Sequence, residues 1–255
     1  MGENARQRVL VTGGSRGIGA AIVTHFANNG FDVVFSYHQD EQAANAMLRA
    51  GSDSGARVCA IRADLAVAGS AEFVVSETLR FLGGLDVLVN CAGVYPKASI
   101  RDTDSEMFRR TISLNVDAAL ATLRSALDAL ADGGGAVVNI SSISAFEPRV
   151  GMIAYDSSKA ALSALTKSAA VELGPLGIRV NAVAPGLVWA RDLQEIAPEL
   201  VAANLEHAPL GRLVQPDEVA QAVAFLAGPS AGSITGHVLV IDCGVSLVGY
   251  AHAIH

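Results

Sequence analysis

Val9-Leu10-Val11-Thr12-Gly13-Gly14-Ser15-Arg16-Gly17-Ile18-Gly19 is the stretch from which the fold is read. Three apolar residues unbroken by polar ones make a short strand with both faces buried, as in a parallel sheet. The glycine run then turns the chain into a helix, with Ile18, Ile22, Val23 and Phe26 on one stripe of residues 17–29. Its spacing is Gly-x3-Gly-x-Gly. Gly13 permits the tight turn, Gly17 lets backbone amides approach a phosphate, and Gly19 lets helix and strand pack closely. Free N–H groups and the partial positive charge of a helix start favour a pyrophosphate there. At a first strand–helix junction this predicts a dinucleotide cradle, with a ligand-free tight turn as the plain alternative.

The same alternation continues along the chain. Val33–Phe35, Val58–Ile61, Leu85–Val89, Ala136–Ile140, Ile178–Val183 and Val238–Ile241 read as further buried strands, with helical segments between them. Residues 103–131 read as a helix opened by a capping box, Thr103-Asp104-Ser105-Glu106. Pro216-Asp217-Glu218 reads as another helix start, with Val219, Val223 and Leu226 facing inward. Repeated right-handed crossovers give one Rossmann-type doubly wound α/β domain over residues 1–255, with about seven parallel strands and helices on both faces. Ligands then bind at the carboxyl ends of the strands. The stretch Gly186–Leu210 shows neither pattern clearly and reads as a substrate lid, against a plain surface helix with connector.

Composition narrows the class. Of 255 residues, 51% are hydrophobic and 17% charged, where an ordinary domain carries about 25% charged, so the chain is rich in core. Mean hydropathy is +0.39, but the excess is mostly alanine and no window holds the ~20 apolar residues of a spanning helix. The polar start, MGENARQR, is not a secretory leader, which predicts a cytoplasmic protein. A net charge of −7 with scattered basic residues argues against nucleic acid. The three cysteines, Cys59, Cys91 and Cys243, lack metal or redox spacing and read as small buried hydrophobes. The six histidines show no metal spacing either, so no metal is expected.

Cofactor choice turns on what meets the adenosine ribose. An NAD site usually places an acid at the tip of the second strand, about 20 residues after the glycine run. Here that tip reads Ser36-Tyr37-His38, and Asp40 and Glu41 come later, on the next helix. Arg16 suits a 2′-phosphate, unless it is merely a solvated loop arginine. NADP(H) is therefore expected ahead of NAD(H).

Tyr155 and Lys159 stand four apart in a helix read from Ile153 to Leu173, so their Cβ atoms lie about 5–6 Å apart on one face. A free tyrosine titrates near about 10, and a neighbouring ammonium draws it down. Reaching neutrality needs roughly 4 kcal/mol of differential stabilisation. Taken alone, Tyr-x3-Lys is an ordinary surface pair. With Asn90-Cys91-Ala92-Gly93 after the fourth strand, Leu114-Asn115-Val116 on the fourth helix and Ser142 thirteen residues before Tyr155, it becomes a constellation.

At this point residues 7–247 closely resemble the short-chain dehydrogenase/reductase superfamily, in its compact one-domain branch, and are similar to 3-oxoacyl-carrier-protein reductases. The resemblance implies a catalytic tetrad of Asn115, Ser142, Tyr155 and Lys159. Tyr155 would be the general acid/base, Ser142 would polarise the carbonyl, and Lys159 would tune Tyr155 and hold the nicotinamide ribose. Asn115 would support a water relaying protons to Lys159. It further implies cofactor contacts from Gly13, Ser15, Arg16, Gly17, Ile18 and Gly19, and from Tyr37, His38, Asp64 and Leu65. Asn90, Ala92, Gly93, Pro185, Gly186 and Val188 complete that set. Three positions depart from the pattern: Ala190 stands where a threonine is usual, Cys91 where an asparagine is, and Cys243 where a glycine is.

The implied activity is carbonyl–alcohol interconversion by hydride transfer. Alternatives are a non-catalytic dinucleotide sensor, which typically loses the tyrosine or lysine, an NAD-dependent sugar or steroid alcohol dehydrogenase, and an epimerase, which needs an added domain. Val94, Tyr95, Phe146, Met152, Leu187 and Trp189 are candidate pocket residues, with Phe146 and Met152 equally readable as core. A small apolar ketone and a 3-oxoacyl thioester fit equally, and Arg149 with Arg191 would form a basic patch for an acidic carrier. The Ala- and Leu-rich helix at 111–131 suits burial in a homotetramer or homodimer, and the apolar tail 247–255 would pack on a neighbour.

Overall fold

The computed structural model describes residues 6–190 and 193–248. Seven strands among them form one wholly parallel sheet in the order β3-β2-β1-β4-β5-β6-β7. The strands are β1 Arg8–Thr12, β2 Asp32–Tyr37, β3 Val58–Arg62, β4 Val87–Asn90, β5 Ala136–Ile140, β6 Arg179–Pro185 and β7 Val238–Ile241. The order reverses between β1 and β4, whose ends meet with Thr12 opposite Asn90. A crevice opens there at the carboxyl ends, where doubly wound sheets bind ligands.

Successive residues of each strand feed opposite faces. Val9, Val11, Val33 and Phe35 pack beneath α1 (Gly17–Asn28) and α9 (Pro216–Ala227) with Ile22, Phe26, Val223 and Leu226. Leu10, Val34 and Leu88 face the other way, against α3 (Ser70–Leu82), α5 (Ala118–Ala131) and α6 (Ile153–Leu173). Each fully buried side chain of this size contributes roughly 1.5–3 kcal/mol. The remaining helices are α2 (Glu41–Asp53), α4 (Ser105–Ile112), α7 (Leu193–Ile196), α8 (Pro198–His207) and α10 (Val245–Val248).

Three expectations shift. The helix after β4 is capped by Asp104, not Thr103: Asp104 Oδ1 accepts the amides of Glu106 at 3.0 Å and Met107 at 2.8 Å. Thr103 Oγ1 is engaged by the carbonyl of Ser99, so the adjacent carboxylate takes the cap. Nor is that helix continuous, since residues Ser113–Asp117 form a π-helical turn between α4 and α5, and Asn115 sits in it. The stretch 186–210 is not a structureless loop, because α7 and α8 occupy it. Its base is fixed by Trp189 N–H to Val214 O (2.8 Å) and Val214 N–H to Leu187 O. Arg191 and the tail beyond 248 lie outside the described residues.

Among described non-glycine residues, Cys243 alone has a positive φ, +57°. A left-handed backbone costs an L-residue about 1–2 kcal/mol, which gives a physical reason for glycine there. The thiol is buried and contributes packing of its own, so the comparison should be made between two variants that both delete it. Cys243→Gly is expected to be more stable than Cys243→Ala by about 1 kcal/mol, or some 2–4 °C in Tm. Equal melting temperatures would show that the backbone strain is relieved some other way.

Candidate active site

The glycine turn closes by close approach. A Cβ on Gly13 would lie 2.9 Å from the Cα of Ala92, and one on Gly19 would lie 2.1 Å from the carbonyl oxygen of Gly13. Gly17 differs, since its φ is +55° and a Cβ there would meet only open space. Gly14, silent in the sequence reading, would drive a Cβ into Phe35 and Val23. No side chain caps the first turn of α1 and no acid lies in it, so its amides point outward unopposed. The cradle therefore fits a diphosphate, as a dinucleotide requires.

Two residues that the sequence did not single out hold this cradle. Thr12 Oγ1 accepts the amides of Cys91 (3.0 Å) and Ala92 (3.1 Å), tying the turn after β4 to the glycine turn. Ser36 Oγ accepts the amide of Gly13 at 3.2 Å. A buried hydroxyl at each strand end is a weak signal, because strand neighbours cannot be read from one sequence.

Charge near the adenosine side is basic. Asp40 is occupied as a helix cap, accepting the amide of Ala43 at 2.9 Å. Asp64 accepts the amide of Ala66 and an N–H of Arg110, and His38 stands 3.6 Å away. Burial opposes ionisation of that carboxyl, but these partners together hold it below its ordinary range. His38 is exposed just past the β2 tip, where Arg62 Nε donates to its carbonyl, and Arg16 is exposed in the glycine turn.

Asn90 turns away from this crevice. Its amide group donates to Asn139 Oδ1 (2.9 Å) and accepts from Thr122 (2.7 Å), while Asn139 donates to Thr166. Four buried polar side chains thus pin β4 and β5 to α5 and α6, so the Asn90 side chain serves the scaffold.

Ser142, Tyr155 and Lys159 converge beyond it. Ser142 Oγ accepts the amide of Ser144 at 3.2 Å, which starts the 3-10 turn Ile143–Ala145, and is the hydrogen-bond partner favouring the Tyr155 phenolate. Lys159 Nζ lies 5.7 Å from the Tyr155 ring centroid and donates to the Ile140 carbonyl at 2.6 Å. Asn115 donates to Val94 O and Ser158 Oγ and accepts the Val94 amide, each at 2.9 Å. A Cβ on Gly93 would stand 3.1 Å from Asn115 Oδ1 and 3.7 Å from Lys159 Nζ, so all three meet at one point. Ser158, which also donates to the Tyr155 carbonyl, was not anticipated.

The electrostatics depart from expectation. Burial raises the Tyr155 pKa above its ordinary value, against opposing effects of Ser142 and Arg149. Lys159, turned toward Ile140, is not among the groups that lower it, and its own ammonium is brought down to about 8 by burial. Burial also raises the Cys91 thiol to about 11, which keeps it protonated and inert at neutral pH. Among the described residues no His, Cys, Asp or Glu cluster is suited to a metal.

The candidate pocket residues divide. Tyr95, Phe146 and Trp189 are exposed, whereas Met152 is buried, so Phe146 is not core and Met152 is. Tyr95 meets Tyr155 edge to face, with centroids 6.3 Å apart. Val94, Leu187 and Val188 are half-buried, and Gly186 packs so closely on Asp242 that a Cβ would lie 2.8 Å from its Cβ. Arg149 is not a surface patch for a carrier, because its guanidinium turns inward to Ser144 Oγ at 3.1 Å.

Buried Lys159 has a measurable cost. Its unfolded form titrates near the ordinary 10.5 and its folded form near 8, so the folded chain binds fewer protons between those values. The penalty is fully present below about pH 8 and fades as pH rises to 10.5. It amounts to about 3 kcal/mol, less about 1 kcal/mol for the hydrogen bond to Ile140. Lys159→Met is expected to gain about 2 kcal/mol in urea unfolding at pH 7, with the gain gone by pH 10.5. A variant destabilised equally at both pH values would contradict that account.

Comparison with known proteins follows the same lines. A family model described as enoyl-(acyl carrier protein) reductase matches residues 13–246. A cis-4-hydroxycyclohexanecarboxylate dehydrogenase of Sinomonas cyclohexanicum is 36% identical over 251 residues, 97% of this chain and 100% of the relative. A 3-oxoacyl-(acyl-carrier-protein) reductase of Staphylococcus aureus is 34% identical over 237 residues, 92% of this chain and 96% of the relative. The crystal structure of a blue fluorescent protein from a metagenomic library, in complex with NADPH, superposes with a TM-score of 0.88 at 35% identity, covering 96% of this chain and 100% of the other. With its parallel seven-stranded sheet, its glycine cradle and its Ser142–Tyr155–Lys159 geometry, the chain belongs to the short-chain dehydrogenase/reductase family of oxidoreductases.

Proposed function

We propose that this enzyme interconverts an apolar ketone and its secondary alcohol with NADP(H), using Tyr155 as general acid and base. The observation that carries the reading is the convergence of Ser142 at the end of β5 with Tyr155 and buried Lys159 on α6, the Lys159 Nζ lying 5.7 Å from the Tyr155 ring. When bound, the reduced nicotinamide supplies a hydride. In the reducing direction the substrate carbon takes that hydride with its two electrons, the C=O π bond becomes the oxygen's lone pair, and the Tyr155 O–H proton moves to that oxygen. The Ser142 hydroxyl donates to the same oxygen as its charge develops. Lys159 would supply a cation beside the phenolate that remains, and Asn115, which meets Lys159 at Gly93, would support a water relaying a proton to Lys159. Oxidation runs the same steps in reverse.

The glycine cradle and the α1 amides would hold the pyrophosphate, with Ser15, Arg16, Gly17, Ile18 and Gly19 nearest it. Tyr37, His38, Asp64, Leu65, Asn90, Ala92 and Gly93 would line the adenosine side, and Pro185, Gly186 and Val188 the nicotinamide side. Arg16, His38, Arg62 and Arg110 around the β2 tip, with Asp40 spent as a cap, support NADP(H) over NAD(H). Exposed Tyr95, edge to face with the Tyr155 ring, supports an apolar, ring-bearing carbonyl beneath a lid at 186–210. An acyl thioester is the second reading, supported by the 34% identity to a 3-oxoacyl reductase. Exposed Phe108 and Leu120 on the α4–α5 side support burial in a homotetramer or homodimer. No described helix is long and apolar enough to cross a membrane.

The test is NADPH and NADH consumption with a panel of cyclic ketones and a 3-oxoacyl thioester. Tyr155→Phe is expected to lower kcat by about 10²-fold or more while NADPH binding, read by fluorescence, is unchanged. Arg16→Ala is expected to raise the KM for NADPH about tenfold and leave that for NADH within about twofold. Equal loss with both cofactors would count against the 2′-phosphate assignment. Binding of NADPH without turnover of any panel member would favour a dinucleotide sensor.

A further inference from the structure

Behind the catalytic tyrosine lies a pair of opposite charges that the mechanism above does not use. Arg149 comes from the turn between the Ser142 strand end and α6, and Asp156 from the first turn of α6 itself. The Arg149 amide donates to Asp156 Oδ2 at 2.8 Å, and its guanidinium donates to Ser144 Oγ at 3.1 Å. Ser144 in turn donates its amide to Ser142 Oγ. The chain of contacts therefore runs from the helix that carries Tyr155 to the serine that bonds it. Asp156 is buried, and Arg149 Nε is buried with no hydrogen-bond partner among the described residues, so the pair's field is little quenched by solvent.

We propose that Arg149 and Asp156 are positioning residues for Tyr155, an opposed pair that locks the Ser142 turn to the start of α6 and sets the acidity of the phenol. The groups acting on that phenol are few. Ser142 and Arg149 favour its phenolate, while Asp156 from its own helix and Tyr95 from the loop after β4 oppose it. Lys159 lies beneath the ring, with its Nζ held by Ile140. Because Lys159 spends its strongest contact on a backbone carbonyl, a second cation, held on Asp156 and Ser144, has a share of the work to do. Removal of each charge should then move the tyrosine in opposite senses. Loss of Arg149 raises its pKa, and loss of Asp156 lowers it. A merely structural role would move both variants the same way or neither.

The inference rests on Tyr155 as the acid/base group, and its test does not require the substrate. The chain with oxidised nicotinamide cofactor bound is taken through stopped-flow pH jumps, and tyrosinate absorbance near 295 nm is read before any unfolding. The same titration of Tyr155→Phe is subtracted to isolate Tyr155 from the chain's other three tyrosines, there being four in all. Arg149→Met is expected to raise the Tyr155 pKa by about 0.5–1 unit, Arg149→Lys to restore most of the difference, and Asp156→Asn to lower it by about 0.5 unit. Coincident curves, shifts of one sign, or a lysine variant no different from methionine would overturn the proposal. Asp156→Asn keeps shape and hydrogen-bonding capacity, so the opposite-sign shift can be read even if Arg149→Met fails to fold. Should Tyr155→Phe retain full turnover while the two shifts appear, the catalytic reading fails and the electrostatic one stands. Normal loss of turnover with coincident titrations gives the reverse.

Discussion

The hydroxyl of Thr12 accepts two amides of the turn after β4, and the geometry of the whole crevice follows from that junction. β1 and β4 are neighbours but their crossovers leave on opposite faces, so the sheet opens between them. To keep the two turns in contact, position 13 has no room for a side chain against Ala92, and position 19 none against Gly13. The α1 amides face out at the same place. Gly93, the residue after the Thr12 contact, is then where Asn115 and Lys159 arrive from helices far away in sequence. A shift of this junction by an ångström would separate the phosphate cradle from the proton-transfer groups, which act only at hydrogen-bonding distance.

What could be read from sequence was local or periodic. The strands are apolar runs because both faces are covered, and β5 and α6 match their predicted bounds at Ala136–Ile140 and Ile153–Leu173. Tyr155 and Lys159 fall on one helix face by the i, i+4 rule alone. What escaped depends on contacts across the sheet. Thr103 looked like a cap until Ser99 claimed its hydroxyl, and Asp104 took over one residue later. The side-chain partners of Asn90, Thr122 and Asn139, come 32 and 49 residues later, so its part in the scaffold could not be read locally. Arg149 looked like surface charge, since nothing in a sequence says that a loop arginine folds inward onto Ser144. Cys243 is the converse case, where the left-handed backbone gives a reason for the glycine that the sequence lacks and none for the cysteine it carries.

The site also shows what burial does to a tyrosine–lysine pair. Surrounding an ammonium and a phenol with apolar walls lowers the lysine and raises the tyrosine, so each is pushed toward its neutral form. That tendency works against a phenolate–ammonium pair and makes the unassisted site less stable than an apolar one. The compensation has to come from groups arranged around the phenol rather than from Lys159 alone. Ser142 provides one such group, and Arg149 is another. Low dielectric strengthens each of these effects as much as it strengthens the penalty, so the balance is set by placement more than by charge count.

The same logic bears on what reaches Tyr155. Tyr95 covers the edge of the catalytic ring yet is largely exposed itself, and Phe146 and Trp189 stand exposed on the strand-end loops. An exposed ring against the edge of Tyr155 is costly unless an apolar body displaces the water over it. Below 191, the segment that leaves β6 is tied through Leu187 and Trp189 to Val214, next to the capped start of α9, where Gln215 N–H donates to Glu218. The backbone beside the site is therefore anchored to the core at the base of the stretch that carries α7 and α8.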